Sequence, residues 1–280
     1  MNFEATPTAP ASISPHRRPR WIREAFPPAL LIGFVVLSWQ VVAERSGLPA
    51  FILPSPAQVW RAGWETRDLL GPAIGTTMLE TAVGLVIALL LAVAIAAMMD
   101  FSPFLRRALY PILVASQTVQ ILAIAPLLII WFGFGLLPKV IIVVLVCFFP
   151  MAVSTTDGLT SADPDLIALL RSMGATRAQV WRIVRLPAAL PSFFSGLRVA
   201  VTYSVVGATI GEWVGGSAGL GLYMLRSKNA LATDQVFVAM LITTLLSIGL
   251  FVLVYLIERA ALPWYYSAQR AEQWEETGIY

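Results

Sequence analysis

Cysteine and histidine are almost missing: Cys147 and His16 are the single examples of each in 280 residues. One cysteine excludes an intrachain disulfide, and its place in an apolar run makes it a buried spectator thiol. One histidine, near the N-terminus, leaves no histidine-based metal cluster or catalytic pair. Charge is scarce as well. Asp, Glu, Lys and Arg supply 12% of the chain against 58% apolar residues, and the mean hydropathy is +0.77. That balance excludes an ordinary soluble domain and describes a polytopic membrane protein. A Gly-x-x-x-x-Gly-Lys-Ser/Thr phosphate loop is lacking, so any ATP must be handled by another chain. A membrane-embedded enzyme would need acids, histidines or cysteines clustered at one depth, and none are so placed. We therefore expect no catalytic residue, no metal and no cofactor.

Membrane-length apolar runs are plentiful. A bilayer core needs about 20 mainly apolar residues per helix. Six segments qualify: residues 25–43, 81–99 (extending upstream to 76 if Glu80 is admitted), 108–132, 140–156, 199–213 and 235–257. Gly133 and Gly135 divide the third from the fourth, and Pro111 and Pro126 are expected to kink the third. The fold class is thus all-α with six transmembrane helices, which puts both termini on one side.

Basic residues set the orientation. With a cytoplasmic N-terminus, the inside segments hold Arg17, Arg18, Arg20, Arg23, Arg106, Arg107, Arg171, Arg177, Arg182, Arg185, Arg198, Arg259 and Arg270. The outside segments hold only Arg45, Arg61, Arg67, Lys139, Arg226 and Lys228. The inside-positive rule favours that arrangement. It also accounts for the net charge of +3, so nucleic acid is not implied. Residues 1–24, with Pro7, Pro10 and Pro15, read as a disordered cytoplasmic tail. No small-residue cleavage site follows, so the first span is expected to remain in the mature protein. Residues 25–71 form that span and an outer loop, 72–262 the main transmembrane domain, and 263–280 a cytoplasmic tail. In the outer loop Ser55, Pro56 and Gln58 have capping-box spacing, which predicts a short amphipathic helix presenting Val59, Trp60 and Trp64 at the interface.

The longest polar interruption, residues 159–195, carries the most information. Asp163 is an expected N-cap, with Pro164 at the first helical position and Asp165 behind it. The helix should run to about Met173 and stop at Gly174. Thr176 and Gln179 have capping-box spacing for a second short helix carrying Val180, Trp181, Ile183 and Val184, broken by Leu186-Pro187. No acid occurs between Leu166 and Gly211, while Arg171, Arg177, Arg182, Arg185 and Arg198 do. Such a surface suits anionic headgroups or an acidic partner.

Gly174, followed twelve and thirteen residues on by Leu186 and Pro187, resembles the signature loop of ATP-binding-cassette importer permeases. In that family a Glu-Ala-Ala triplet begins six residues before the glycine, and an isoleucine sits two before the leucine. Here Ala168-Leu169-Leu170 and Val184 stand there, so any contact made by the family glutamate is lost while the apolar knobs Leu169, Leu170 and Met173 remain. Leu53-Pro54-Ser55-Pro56, Ile124-Ala125-Pro126-Leu127, Trp131-Phe132-Gly133 and Phe148-Phe149-Pro150 are similar to the nitrate, sulfonate and taurine branch. Ser116-Gln117-Thr118, Arg171-Ser172-Met173-Gly174 and Gly211-Glu212-Trp213 look most like its permeases for thiamine pyrimidine precursors or riboflavin.

The resemblance implies a type I, MetI-like importer fold in the bacterial cytoplasmic (inner) membrane. It also implies a pore formed with a second copy or a similar permease, a cytoplasmic ATPase dimer beneath it, and an extracytoplasmic substrate-binding protein. Asp163, Asp165, Leu169, Leu170, Arg171, Met173, Gly174, Arg177, Leu186 and Pro187 would then couple to the ATPase. Cargo would be a pyrimidine or flavin-like vitamin precursor, the alternative being an alkanesulfonate, taurine or nitrate. A stand-alone channel or secondary carrier would need no such loop, and the inverted hydropathy repeats common in carriers are not found.

Substrate-path candidates follow from the cost of polar groups in lipid. Glu80 and Glu212 fall near the outer ends of their spans, where water reaches them; they read either as interfacial carboxylates or as a gate or intersubunit contact. Gln117 and Gln120, one turn apart near the middle of the third span, suit hydrogen bonding to a neutral heterocycle or helix packing. Tyr203 and Trp213, with Thr202, Ser204, Trp131 and Phe132, are further candidates. Asp157 is expected to anchor the entry to the polar loop, and Gly215 to Gly221 to form a flexible outer segment.

Overall fold

The computed structural model describes residues 20–265, and in it every regular element is helical. The expected tails before residue 20 and after residue 265 lie outside the described residues. Two units separate, one up to Gln58 and one from Val59 onward.

The first unit holds α1 (Arg20–Arg45), which covers the first expected span, and the opening turn of α2 (Pro56–Glu65). The Ala57 backbone N–H donates to Gln40 Oε1 at 3.4 Å. The predicted box caps α2: Ser55 N–H donates to Gln58 Oε1 at 2.8 Å, and Gln58 N–H donates to Ser55 Oγ at 3.3 Å.

The second unit is built on α3 (Arg67–Phe101), α6 (Leu136–Thr160) and α9 (Leu186–Gly215), with α11 (Thr233–Ala261) packed on α9. The helices approach closely because small residues recur along the contact faces. On α3, Gly84, Ala88, Ala92 and Ala96 repeat every fourth residue, which keeps them on one face, and the three alanines are fully buried. On α9 a Cβ at Gly196 would lie 2.7 Å from Ser154 Cβ of α6. Small residues at such seams are the usual route to tight packing where lipid offers no hydrophobic drive. Cys147 is buried in this core and donates weakly to the Ala200 carbonyl at 3.3 Å.

Among the described residues four helices are long and apolar enough to cross a membrane: α3, α6, the continuous stretch Arg177–Gly215 and α11. A fifth is gained if α4 (Pro103–Ser116) and α5 (Ile121–Phe132) count as one broken span. With α1 the count is compatible with six.

Two expectations need correction. The third span does not merely kink at its prolines: it breaks at residues 117–120, and the two halves bend by 102°. Ser116 Oγ and Thr118 Oγ1 turn back to the Ile112 and Ala115 carbonyls, both at 2.7 Å, while the Gln117, Thr118 and Val119 N–H groups tighten onto carbonyls three residues back. A run of side chains that compete with the helical ladder ends the helix. Gln117 and Gln120 are thus the end of one half and the cap of the next, not neighbours on a helix face. The second correction concerns Leu186-Pro187, which break nothing. A π-helical turn, Trp181–Arg185, precedes them and its widened ladder closes with Leu186 N–H donating to the Trp181 carbonyl. The extra residue in that turn makes room for the proline ring, and the chain continues as α9, thirteen residues ahead of the expected start at 199 (199 − 186 = 13).

Candidate functional site: a capped loop and two polar clusters

The loop between α6 and α9 folds as its residues direct. Asp163 Oδ1 accepts the Asp165 N–H at 2.8 Å and caps α7 (Pro164–Ser172). Gly174 takes φ +84°, a left-handed value that the preceding helix end requires, and Ala175 N–H returns to the Leu170 carbonyl at 3.0 Å. Thr176 then caps α8 (Arg177–Val180) with both halves of the capping box present. Leu166, Leu169 and Met173 are three and four residues apart and so share a face of α7; their exposures of 49%, 56% and 75% make that face a row of uncovered apolar knobs. Leu166 was not among the expected knobs, although its spacing from Leu169 and Met173 is the signal that finds it. Leu170 is partly covered, Arg171 and Arg177 are exposed, and Leu186 is half-exposed at the start of α9 beside Pro187.

Ion pairs tie this loop to the helices around it. Arg185, in the π-helical turn, pairs with Asp100 at the end of α3. Tyr110 of α4 donates to Asp157 Oδ1 of α6 at 2.8 Å, so Asp157 pins α4 against α6 beside the loop. Arg198 Nε lies 3.3 Å from Glu258 Oε2, joining α9 to α11.

At the opposite ends of α3, α6 and α9 sits a second cluster, and here water access was wrongly expected. Glu80 and Glu212 are 1% and 0% exposed. Lys139 of α6 reaches across to Glu80 Oε1 at 2.6 Å and is itself buried. Glu212 accepts from Thr77 Oγ1 at 2.6 Å and from the Gly221 N–H, while Thr77 Oγ1 accepts the Leu220 N–H at 2.9 Å. The carboxylate thereby holds the turn into α10 (Leu220–Asn229). That turn must be glycine. Gly219 has φ +114°, and a Cβ there would strike the Glu212 carboxylate. Lys139 had been placed among the outside loop charges; that Glu80 falls at the same end of a neighbouring span was the available hint of the pairing.

The other substrate-path candidates scatter. Trp213, with Thr202, lines a groove of about 540 Å³ between α9 and α11, together with Thr209, Thr243, Thr244 and Ser247. Tyr203 is exposed and not part of that lining, Ser204 is fully buried, and Trp131 and Phe132 are exposed at the end of α5. Gln117 and Gln120 are exposed at the break. Among the described residues no group of histidine, cysteine or acid side chains is arranged to hold a metal ion.

Residues 69–264 match the family model described as a binding-protein-dependent transport system inner membrane component. A probable ABC transporter permease protein of Haemophilus influenzae is 38% identical over 224 residues, 80% of this chain and 91% of the relative. The formylaminopyrimidine transport permease protein ThiX of Halalkalibacterium halodurans is 36% identical, covering 86% and 96% of the two chains. The riboflavin transport system permease protein RibX of Chloroflexus aurantiacus is 35% identical, covering 89% and 92%. Among solved structures, a crystal structure of an amino acid ABC transporter superimposes with a TM-score of 0.59 at 19% identity, over 70% of this chain and 95% of that one. That likeness shows that the two chains share a fold.

Proposed function

Since this chain belongs to the binding-protein-dependent transport system inner membrane components and is an ABC importer permease subunit, we propose that it forms the import pathway for a thiamine pyrimidine precursor or a flavin-like vitamin. The observation that carries the proposal is the pair formed by the loop and the break: a capped, apolar-faced coupling helix at one end, and a bare interruption in a membrane span. Non-helical backbone at membrane depth is tolerated only where protein buries it or water lines it. Residues 117–120 are exposed in the single chain, so they fit a position against a second copy of the permease or beside an aqueous path. Two glutamine amides there offer both donors and acceptors to a neutral heterocycle. Trp213 and the mainly apolar groove beside it, which Ile210 and Phe251 also line, supply a second stretch of that path.

The mechanism is alternating access. Two ATPase subunits on the cytoplasmic side grip the knobs of α7, and their closure on ATP carries α7 and α8 as a unit, held in shape by the Asp163 cap, Gly174 and the Thr176 box. Arg185 and the uninterrupted helix through Pro187 pass the movement to α9, and the Arg185–Asp100 pair passes it to α3. Both termini lie on that cytoplasmic side, and a binding protein delivers cargo at the opposite face.

Uptake into vesicles holding the permease, its ATPase and the neighbouring binding protein tests the cargo. Saturable uptake of a formylated aminopyrimidine, hydroxymethylpyrimidine or riboflavin, weakened by Gln117→Ala and Gln120→Ala, is the expected result. Uptake of taurine, an alkanesulfonate or nitrate instead would retain the importer and overturn the vitamin cargo.

A further inference from the structure

Two hollows open beside the coupling loop and share Asp100, Pro103 and Arg185. One, of about 220 Å³, is further lined by Arg171, Arg177 and Trp181; the other, of about 590 Å³, by Arg106, Arg107 and Tyr110. Five arginines therefore meet one lining acid, and Arg185 already pairs with that acid, Asp100. Tyr110 donates to Asp157 nearby. Arg106, Arg107, Arg171 and Arg177 form no ion pair among the described residues. The Trp181 indole N–H is buried without a hydrogen-bond partner. Helix α4 starts here with Pro103 at its first position, adding the positive end of its dipole. Joined at Asp100, Pro103 and Arg185, the two hollows make one cleft that gathers donors and positive charge around a single acid.

We propose that this cleft binds the phosphate of an anionic membrane phospholipid, so that the inner leaflet clamps α4 to the coupling loop. The placement of the cleft on the cytoplasmic side rests on the importer reading above. Guanidinium groups suit phosphate because their paired N–H donors match its oxygens, and juxtamembrane arginines on that face attract acidic lipids. The apolar surroundings favour a lipid over an acidic segment of a partner protein. Phe101 and Phe104 flank the arginines with exposures of 56% and 81%, a surface for acyl chains beside a headgroup site. The α7 knobs Leu166, Leu169 and Met173, which face the ATPase in the proposed mechanism, line neither hollow.

The test is native mass spectrometry of the full-length permease in neutral detergent, titrated separately with dioctanoyl phosphatidylglycerol, dioctanoyl phosphatidylcholine, glycerophosphoglycerol and inorganic phosphate. Phosphatidylglycerol should be retained about tenfold more strongly than phosphatidylcholine, and the double variant Arg106→Gln/Arg107→Gln should lose most of that preference. Trp181→Phe, which keeps the ring and deletes the N–H, should weaken retention by a smaller factor. Circular dichroism confirms that each variant remains helical, and the single variant Arg106→Gln repeats the test if the double variant does not. Equal retention of the two lipids, or unchanged retention in both arginine variants, overturns the proposal. Binding of glycerophosphoglycerol or phosphate as tight as that of the lipid would make this a soluble-anion site and also overturns it. If phosphatidylglycerol is ignored while, in a parallel co-purification, Arg106→Gln/Arg107→Gln loses the ATPase, an acidic partner is the occupant and the lipid proposal is overturned. A permease that keeps the lipid preference but never binds an ATPase would sink the importer reading alone.

Discussion

The two ends of the α3–α6–α9 core hold their charges in opposite ways. At the far end Glu80, Lys139 and Glu212 are all buried; Lys139 pairs with Glu80, and Glu212 accepts from Thr77 and from the Gly221 backbone N–H of the turn into α10. At the loop end each pair has a buried acid and a wetter arginine: the side chains of Arg185 and Arg198 are 27% and 30% exposed against 4% and 3% for Asp100 and Glu258. Breaking a buried pair leaves a charge stranded in a poor solvent, whereas removing the acid of a loop-end pair leaves behind an arginine that water already reaches, at a smaller cost. The far end is one buried network, and under the alternating-access mechanism proposed above the loop end is the one placed to exchange partners.

The largest expected effect comes from stranding a charge at the far end. Lys139→Met should lower stability by about 3–5 kcal/mol, read as a fall in the thermal unfolding midpoint of the solubilised permease. Lys139→Met with Glu80→Leu should recover a good part of that loss, because no unpaired ion remains at Glu80. A double variant no better than the single one would show that the pair is not what stabilises this end. Next in size is Gly219→Ala. Its Cβ meets the Glu212 carboxylate and its φ is +114°, so a loss of about 1–3 kcal/mol is expected, and limited proteolysis should then cut near α10 first. The smallest is Asp100→Asn at the loop end, with a stability change of about 1 kcal/mol or less. ATP-driven uptake should nevertheless fall, because Arg185 no longer links the loop to α3. A stability loss as large as that of Lys139→Met would erase the contrast between the two ends.

Local rules made the loop readable before any tertiary contact was known. A cap, a proline and an acid at 163–165, a glycine at 174 and a box at 176–179 each act within one turn of chain, and the structure follows each of them. The same holds for Ser55 and Gln58 ahead of α2. What was not legible depends on neighbours or on competition within the backbone. The burial of Glu80 and Glu212 needs Lys139 and Thr77 from neighbouring positions in the fold and the Gly221 backbone N–H from a later turn. Leu186-Pro187 looked like a stop because a proline costs an α-helix its hydrogen bond, and nothing in hydropathy reveals the π-helical turn that absorbs it. The break at 117–120 hides inside a charge-free run, where two hydroxyls and two amides are too few to interrupt an apolar average. The folding of the loop between α6 and α9 is thus governed locally, and that of the membrane core is not.

Co-purification of the ATPase with full-length wild-type permease and with Gly174→Val tests the central claim most directly. Valine is strained at φ +84°, so the link between α7 and α8 should distort while the spans insert normally. The account predicts an ATPase bound to wild type and lost from the variant at equal membrane levels. Substrate uptake that proceeds with neither ATPase nor ATP, or a variant that keeps both ATPase and transport, would contradict it.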